Sequence, residues 1–399
     1  MSQEEEKLYT FVKADHDYVV GLRRWFHMNP ELSRYEENTA KRIEEELAKL
    51  GLETRRIGEH NVYAEIKGNL PGDKTIVLRA DIDALPVTEE HECPYMSQNP
   101  GVMHACGHDA HAAGLIGAAR ALVNNKDLFG GTVRLVFQEA EEVGYGGHVI
   151  AASDALDGAD RTFGIHMASN VPAGSIVVMA GPNNASVDWF KISVHGLGAH
   201  VSTPEAGIDA AYIISQIVVG AQALVTRRTS PMDNVLIGIG KITAGTAYNV
   251  IAQEAELEGT IRVFTPEIRE QVKKELKNLA LRTAEIYGGT AEIEYQDFTS
   301  PLINDEVSTK EAQKTAFSLF GKDHVITSRK PALGGDDMAE FILKVPGCYA
   351  YVGSANKDRP ETMVAHHNSH FDIDEDALRV SAAMYAAYAV DFLNGTVTE

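Results

Sequence analysis

Apolar residues recur along the chain with two periods, and the alternation between those periods predicts the fold. Leu8, Phe11, Val12, Tyr18, Val19, Leu22 and Phe26 are spaced for one face of a helix running from about 4 to 28, which Asn29-Pro30 stops. A second helix is expected over 37–50, with Gly51 as a left-handed cap. Strands follow at 62–66 and 75–80, flanking a turn of composition Asn69-Leu70-Pro71-Gly72-Asp73. Thr75-Ile76-Val77-Leu78 is almost wholly apolar, as in a strand covered on both faces. An Ala-rich helix over 112–122, with Asp109 placed as its cap, is followed by apolar strands at 131–136 and 162–166. Strands alternating with helices indicate an α/β sheet with a site along one edge.

Near Pro182 the pattern changes. A strand at 187–195, a helix over 207–226, strands at 235–242 and 255–263, a helix over 266–287 and a strand at 290–295 make a small α+β unit. It reads as an insert, residues 185–297, between segments 1–184 and 298–399. After Ser300-Pro301 the α/β character resumes, with helices over 305–320 and 336–343, a strand at 348–352 and a last helix over 374–393.

A length of 399 residues fits two domains, and 44% apolar with 23% charged residues is the composition of a folded, soluble chain. The formal charge of −21 disfavours nucleic acid as a partner and favours solubility. The N-terminal Met1-Ser2-Gln3-Glu4-Glu5-Glu6 is acidic where a secretion signal needs positive charge. The longest apolar run, 212–225, is broken by Ser215 and Gln216, so no membrane span is expected. Three scattered cysteines fit no disulfide framework, and a reducing cytoplasm suits them best.

Candidate chemistry concentrates in Met103-His104-Ala105-Cys106-Gly107-His108-Asp109-Ala110-His111. Cys106 and His108 are two apart, so an extended backbone would turn both to one side. A thiolate with imidazoles suits zinc or another borderline divalent ion rather than Ca or Mg. Structural histidines beside a buried thiol are the plainer reading, and the density of the cluster argues against it. Asp81 and Asp83 follow a buried strand, the place where α/β folds put their sites, and Asp81 is the stronger candidate. Glu139, Glu141 and Glu142 follow another strand, where one Glu could bind metal and a neighbour could move protons. His166 ends a third strand, and the loop containing His366, His367 and His370 could supply a last ligand.

These residues resemble the aminoacylase and carboxypeptidase family of co-catalytic metallopeptidases, in the branch acting on indole-acetyl amino acids, hippurate and N-acetyl-diaminopimelate. The resemblance rests on His27-Met28-Asn29-Pro30-Glu31-Leu32, on Arg79 through Pro86, on His104 through Asp109, on Glu141-Glu142 and on Gly164-Ile165-His166. His200 with Pro204, Gly207, Asp209 and Ala210 matches as well, as do Asn249-Val250-Ile251 and Gly259-Thr260-Ile261-Arg262. It implies a fold of class α/β, a catalytic domain with a mixed sheet flanked by helices, with the insert as a lid and dimerisation domain of four strands and two helices. It implies metal ligands at Cys106, His108, Glu142, His166 and His370, ranking His370 first in its loop, and two divalent ions, Zn or Mn with Co or Ni also acceptable. Glu141 becomes the general base, and His200, Asn249 and Arg262 become substrate or oxyanion contacts, with the lid of one subunit of a homodimer reaching the site of the other.

The expected activity is hydrolysis of N-acyl amino acids by metal-activated water, with dipeptides or N-acetyl-diaminopimelate as alternative substrates. Two departures stand out. Arg79 occupies a position where much of the wider family has His two residues before the strand-end Asp, so Cys106 would compensate. Glu139 stands where Pro is frequent, and Gly335-Asp336-Asp337 where Gly-Glu-Asp is common. Two rival readings are a thiol hydrolase with Cys106 as nucleophile and a metal-binding or scaffolding protein without catalysis, against which the presence of Glu141 counts.

Overall fold

The computed structural model describes residues 1–397. By its internal packing the chain divides into a first unit of Met1–Gly181, Ile303–Lys330 and Asp337–Glu399, and a second of Pro182–Leu302 and Pro331–Asp336.

The first unit opens with helices α1 (Gln3–Ala14), α2 (His16–Met28) and α3 (Glu37–Lys49). The single helix expected over 4–28 is two helices. Asp15 leaves helical geometry (φ −94°, ψ 1°) because its carboxylate turns to accept from the guanidinium of Arg120, at 2.7 Å from Nη2. Strands β1 (Thr54–Ile57), β2 (Asn61–Lys67) and β3 (Leu70–Asp81) lead to helix α4 (His108–Val123). β3 takes in Leu70 to Asp73, which composition assigned to a turn; Leu70 pairs with Gly130, and the register then shifts before Thr75. Next come β4 (Gly130–Gln138), α5 (Gly146–Ala151), β5 (Arg161–Pro172) and β6 (Ile176–Val177). β5 does not end at His166 but runs six residues further, to Pro172.

The chain passes into the second unit through β7 (Gly181–Asn184) and there forms β8 (Val187–His195), α6 (Ala210–Ala223), β9 (Val235–Ala244), β10 (Glu254–Val263), α7 (Pro266–Ile286) and β11 (Thr290–Thr299). It returns through β12 (Leu302–Asn304) to α8 (Glu306–Phe320), β13 (Val325–Ile326), α9 (Met338–Lys344), β14 (Gly347–Ala355) and α10 (Asp376–Asn394).

Eight strands of the first unit form a mixed sheet in the order β1-β2-β4-β3-β5-β14-β6-β13. β4, β3, β5 and β14 at its centre are mutually parallel, so their carboxyl ends share one edge. Ile76, Leu78, Ala80, Val133, Leu135, Phe137, Phe163 and Ile165 project into a core completed by the small residues of α4 and α10. Of the other parity, Arg79 and Gln138 donate to Asp337 ahead of α9, which also accepts from the Gly147 N–H of α5, and Tyr349 lies against Arg79. The α/β expectation with a mixed sheet is borne out.

The second unit is a four-stranded antiparallel sheet, β11-β8-β10-β9, packed through Phe190, Ile192, Val194, Leu257 and Ile261 onto Ile213, Ile214 and Ile217 of α6 and Val272, Leu276 and Ala280 of α7. Pro331–Asp336 joins it because Ala332 exchanges backbone hydrogen bonds with Asn183 and Ala185, at 2.9 and 3.0 Å. One helical stretch, Ala210–Arg228, is long and apolar enough to cross a membrane, but Ile213, Ile214, Ile217 and Ala221 of that stretch are buried in this core.

Trp25 and Trp189 report one unit each. Phe163 is fully buried with its ring edge-on to Tyr385 and Tyr388. Phe163→Ala, in a Trp189→Phe background, should lower the urea stability reported by Trp25 fluorescence by ~3–5 kcal/mol; an unchanged transition would contradict this packing.

Candidate metal centre

The shared edge of the parallel strands gathers the ionisable side chains. Asp81 ends β3, Glu141 and Glu142 follow β4, and His166 lies within β5. Cys106 and His108 enter from the amino end of α4, but not on an extended backbone: Gly107 is left-handed (φ 91°) and His108 is the first helical residue. A Cβ on Gly107 would stand 3.2 Å from that of Met167, so both conformation and space call for glycine. Asp109 is not the helix cap. It lies inside the first turn, fully buried, and its Oδ2 accepts from Arg23 Nε at 2.8 Å and pairs with His27 Nδ1 at 2.7 Å.

Each prospective ligand is aimed by its other ring nitrogen. His108 Nδ1 lies 2.9 Å from the carbonyl oxygen of Asp83 and 3.1 Å from its Oδ1, so in the neutral ring Nδ1 carries the proton and Nε2 presents a lone pair. His166 Nδ1 donates to the Met167 carbonyl at 2.7 Å, leaving Nε2 3.5 Å from Cys106 Sγ. His111 is different, because Nε2 accepts the Met167 N–H at 2.8 Å and Nδ1 is committed to Asp81, so it has no lone pair to offer.

Asp81 is fully buried and held on both oxygens, by His111 and by Arg79 Nη1 at 2.7 Å. Burial would raise its pKa, but His108, Arg79 and His111 outweigh burial and keep it well below the usual carboxylate range. Arg79, also fully buried, spends its remaining donors on Gln138 Oε1 and Asp337 Oδ1, both at 2.8 Å.

His370 is not among the gathered residues. Its side chain is 56% exposed and faces Ser369 and Glu90. His367, whose side chain is nearly as exposed at 54%, reaches the cluster instead: its backbone N–H donates to the Ala105 carbonyl at 2.8 Å, its φ is 65°, and its Nε2 lies 3.4 Å from Glu142 Oε1. Two triads that could hold an ion share one residue, Cys106 with His108 and His166, and Cys106 with Glu142 and His367.

The arrangement is short of positive charge. Around His108 Nε2 stand Asp81 Oδ1 at 3.7 Å, Glu142 Oε1 at 3.8 Å and Glu141 Oε2 at 4.0 Å. Yet Nε2 and Glu142 Oε1 are buried without a hydrogen bond. Buried polar atoms are rarely left so, and a divalent ion among them fits the donor set. Burial, reinforced by Glu142, Glu141 and Asp81, pushes the Cys106 thiol well above its ordinary range. That is the reverse of what a nucleophilic cysteine requires, and it counts against the thiol-hydrolase reading; a cation at the sulfur would stabilise the thiolate.

Glu141 is buried and follows Ala140, a non-glycine residue at φ 55° whose N–H donates to Glu36 Oε1 at 2.8 Å. Backbone strain of this kind is characteristic of functional turns.

The other three predicted residues belong to the second unit. His200 and Asn249 lie side by side on paired segments, with His200 bridging Val250 and the Val201 N–H donating to the Asn249 carbonyl. His200 Nδ1 accepts the Ser202 N–H at 3.0 Å, so the neutral ring carries its proton on Nε2. Arg262 is half-buried and donates to the Thr260 hydroxyl and the Leu333 carbonyl, at 3.1 and 3.4 Å.

Sequence reasoning left Asp83 undecided, passed over His111 and ranked His370 above His367. The spacing of Asp81 and Asp83 along one strand end was the available signal for Asp83; His111 stood in the cluster and His367 in the loop already singled out, but nothing local ranked either above its neighbours.

Residues 77–391 match the family described as Peptidase family M20/M25/M40. The chain is 39% identical to thermostable carboxypeptidase 2 of Saccharolobus solfataricus, over 98% of this chain and 99% of that one. It is 37% identical to an N-acetylcysteine deacetylase of Bacillus subtilis, over 95% and 97%. Among solved structures it superposes, with a TM-score of 0.83 and 34% identity over 96% and 99% of the two chains, on a dinuclear metal-binding peptidase of the M20 family from Bacillus subtilis.

His104, beside the cluster, is fully buried with neither ring nitrogen bonded, and burial pulls its pKa down to about 3. The unfolded chain, with a histidine pKa of ~6.5, then takes up a proton that the folded state refuses. His104's contribution to stability is complete above about pH 6.5 and is lost as pH falls through that window. His104→Leu should therefore lose stability less steeply than the parent as pH falls from about 6.5 towards 3, by up to ~1.4 kcal/mol per pH unit. Urea unfolding at stepped pH reads this, and equal slopes would contradict it.

Proposed function

The chain belongs to peptidase family M20/M25/M40 and is a hydrolase, and from that premise we propose that it cleaves the amide bond of N-acyl amino acids, using two divalent ions held by Cys106, His108, Glu142, His166 and His367. The observation that carries the reading is the buried, unbonded His108 Nε2 facing three carboxylate oxygens at 3.7–4.0 Å. Cys106 belongs to two of the candidate groups, with His108 and His166 and with Glu142 and His367, so its thiolate would help to hold the ions. The mixed nitrogen, sulfur and oxygen donors suit Zn or Mn, and Co or Ni as well. When bound, such ions activate water and polarise the amide carbonyl.

The rest falls to side chains. Glu141, fixed behind the Ala140 turn, takes the proton of the attacking water and returns it to the leaving amine. Asp81 does not move a proton. With both oxygens engaged it positions, holding His111 and maintaining negative charge beside His108. His200, with its proton on Nε2, is a hydrogen-bond donor for the developing oxyanion. Arg262, whose bonded partners are neutral, is suited to a substrate carboxylate. A carboxypeptidase and an N-acetylcysteine deacetylase among the relatives support small substrates with an amide bond, and dipeptides are the second reading.

The second unit serves as a lid and dimerisation domain in this account. Its edge strand β9 exposes Leu236 and Ile242, and a second copy of the chain would cover them. The free cysteines favour a reducing compartment such as the cytoplasm.

Glu141→Gln should retain its ions and lose ~10²–10⁴-fold in turnover, since the amide cannot accept the proton. Near-normal hydrolysis of N-acetyl amino acids by that variant would remove Glu141 from the mechanism. His367→Ala should lose bound metal and activity together, whereas His370→Ala should keep both; elemental analysis beside an amidase assay separates them, and the opposite result would restore His370 as the ligand.

A further inference from the structure

Behind the Ala140 turn lies a second group of ligand-type side chains, separate from Cys106 and its neighbours. Glu36, ahead of α3, His60, in the turn between β1 and β2, and Glu139, after β4, each bring one donor atom within 4.8 Å of the other two. Glu36 and Glu139 are fully buried. The turn holds Glu139 firmly: Oε1 accepts from Asn61 Nδ2 at 2.7 Å and Oε2 from the His60 N–H at 3.1 Å. Glu36 Oε1 accepts from Ala140, but Glu36 Oε2 has no hydrogen-bond partner, and neither has His60 Nδ1.

Were this a simple histidine–carboxylate pair, the imidazole N–H would point at one of the carboxylates and satisfy it. His60 Nδ1 instead lies 3.3 Å from the exposed Glu37, without hydrogen-bond geometry. Donor atoms each ~2.1 Å from a common ion lie ~3–4 Å from one another, a spacing that the 4.8 Å limit accommodates.

We propose that Glu36, His60 and Glu139 form a further cation site, taking one first-row divalent ion such as Zn²⁺ or Mn²⁺ through one nitrogen and two carboxylates. An ion there ties the start of α3, the β1–β2 turn and the end of β4 together. Since Glu36 also holds the Ala140 N–H, it braces the turn that presents Glu141 and Glu142. Its role is structural support, and it does not depend on what the Cys106 cluster binds.

The test uses the full chain with Cys106→Ser and His108→Ala, which disable the first cluster, loaded with Zn²⁺ and freed of excess by gel filtration. Elemental analysis should find one equivalent of zinc, lost on adding His60→Ala or Glu139→Gln. With Co²⁺ in place of Zn²⁺, the bound ion should show ligand-field bands without thiolate charge transfer. No bound ion in that background, or an ion kept by both added variants, overturns the proposal. Should the background fail to fold by circular dichroism, His60→Ala alone is compared with the parent. It should bind one equivalent fewer, and equal stoichiometry overturns the site.

Discussion

Around His108 Nε2 the protein packs three carboxylate oxygens within 3.7–4.0 Å and lets none of them form a hydrogen bond to it. Buried like charges of this kind are costly unless something positive stands among them. A proton on His108 answers only part of the demand; the carboxylates draw the imidazole up to about 10 against the effect of burial. A metal ion answers all of it, lowering the cost of the acids, of the thiolate and of the bare nitrogen together.

The surroundings hold that imbalance in place. Arg79 and His111 fix Asp81, Asp83 fixes His108 through Nδ1, and the Glu142 N–H donates to Asp83 Oδ2 at 3.0 Å. Asp337 in turn bonds Arg79, Gln138 and the Gly147 N–H at 2.7–2.8 Å. Orientation by outer residues of this sort sets the tautomer and direction of a ligand, so the chemistry of the edge depends on side chains that never reach it.

The second unit obeys a different constraint. Its helices and antiparallel sheet close a core of their own, buttressed by the buried pairing of Arg269 with Asp188 at 2.7 Å. His200 and Asn249 lie at its surface and Arg262 is half-buried. The side-chain packing of that core does not include them, which leaves them available for the roles proposed above.

The sequence by itself determined what is local. The 3.6-residue and two-residue periods reflect burial directly, so the alternating elements and the four-stranded unit with its two helices were legible, as was the clustering of ligand-type side chains at Cys106-Gly107-His108 and at Glu141-Glu142. Tertiary structure decided whatever depends on a partner distant in the chain. Asp15 breaks a helix that its neighbours would continue, because Arg120 is there to receive its carboxylate. Asp109 serves Arg23 and His27 rather than a helix end. His367 reaches Glu142 and His370 reaches Glu90 because the left-handed backbone of His367 and its hydrogen bond to Ala105 set the direction of the loop. Three histidines in one polar loop are chemically equal, and only the backbone folded against them makes one a candidate ligand.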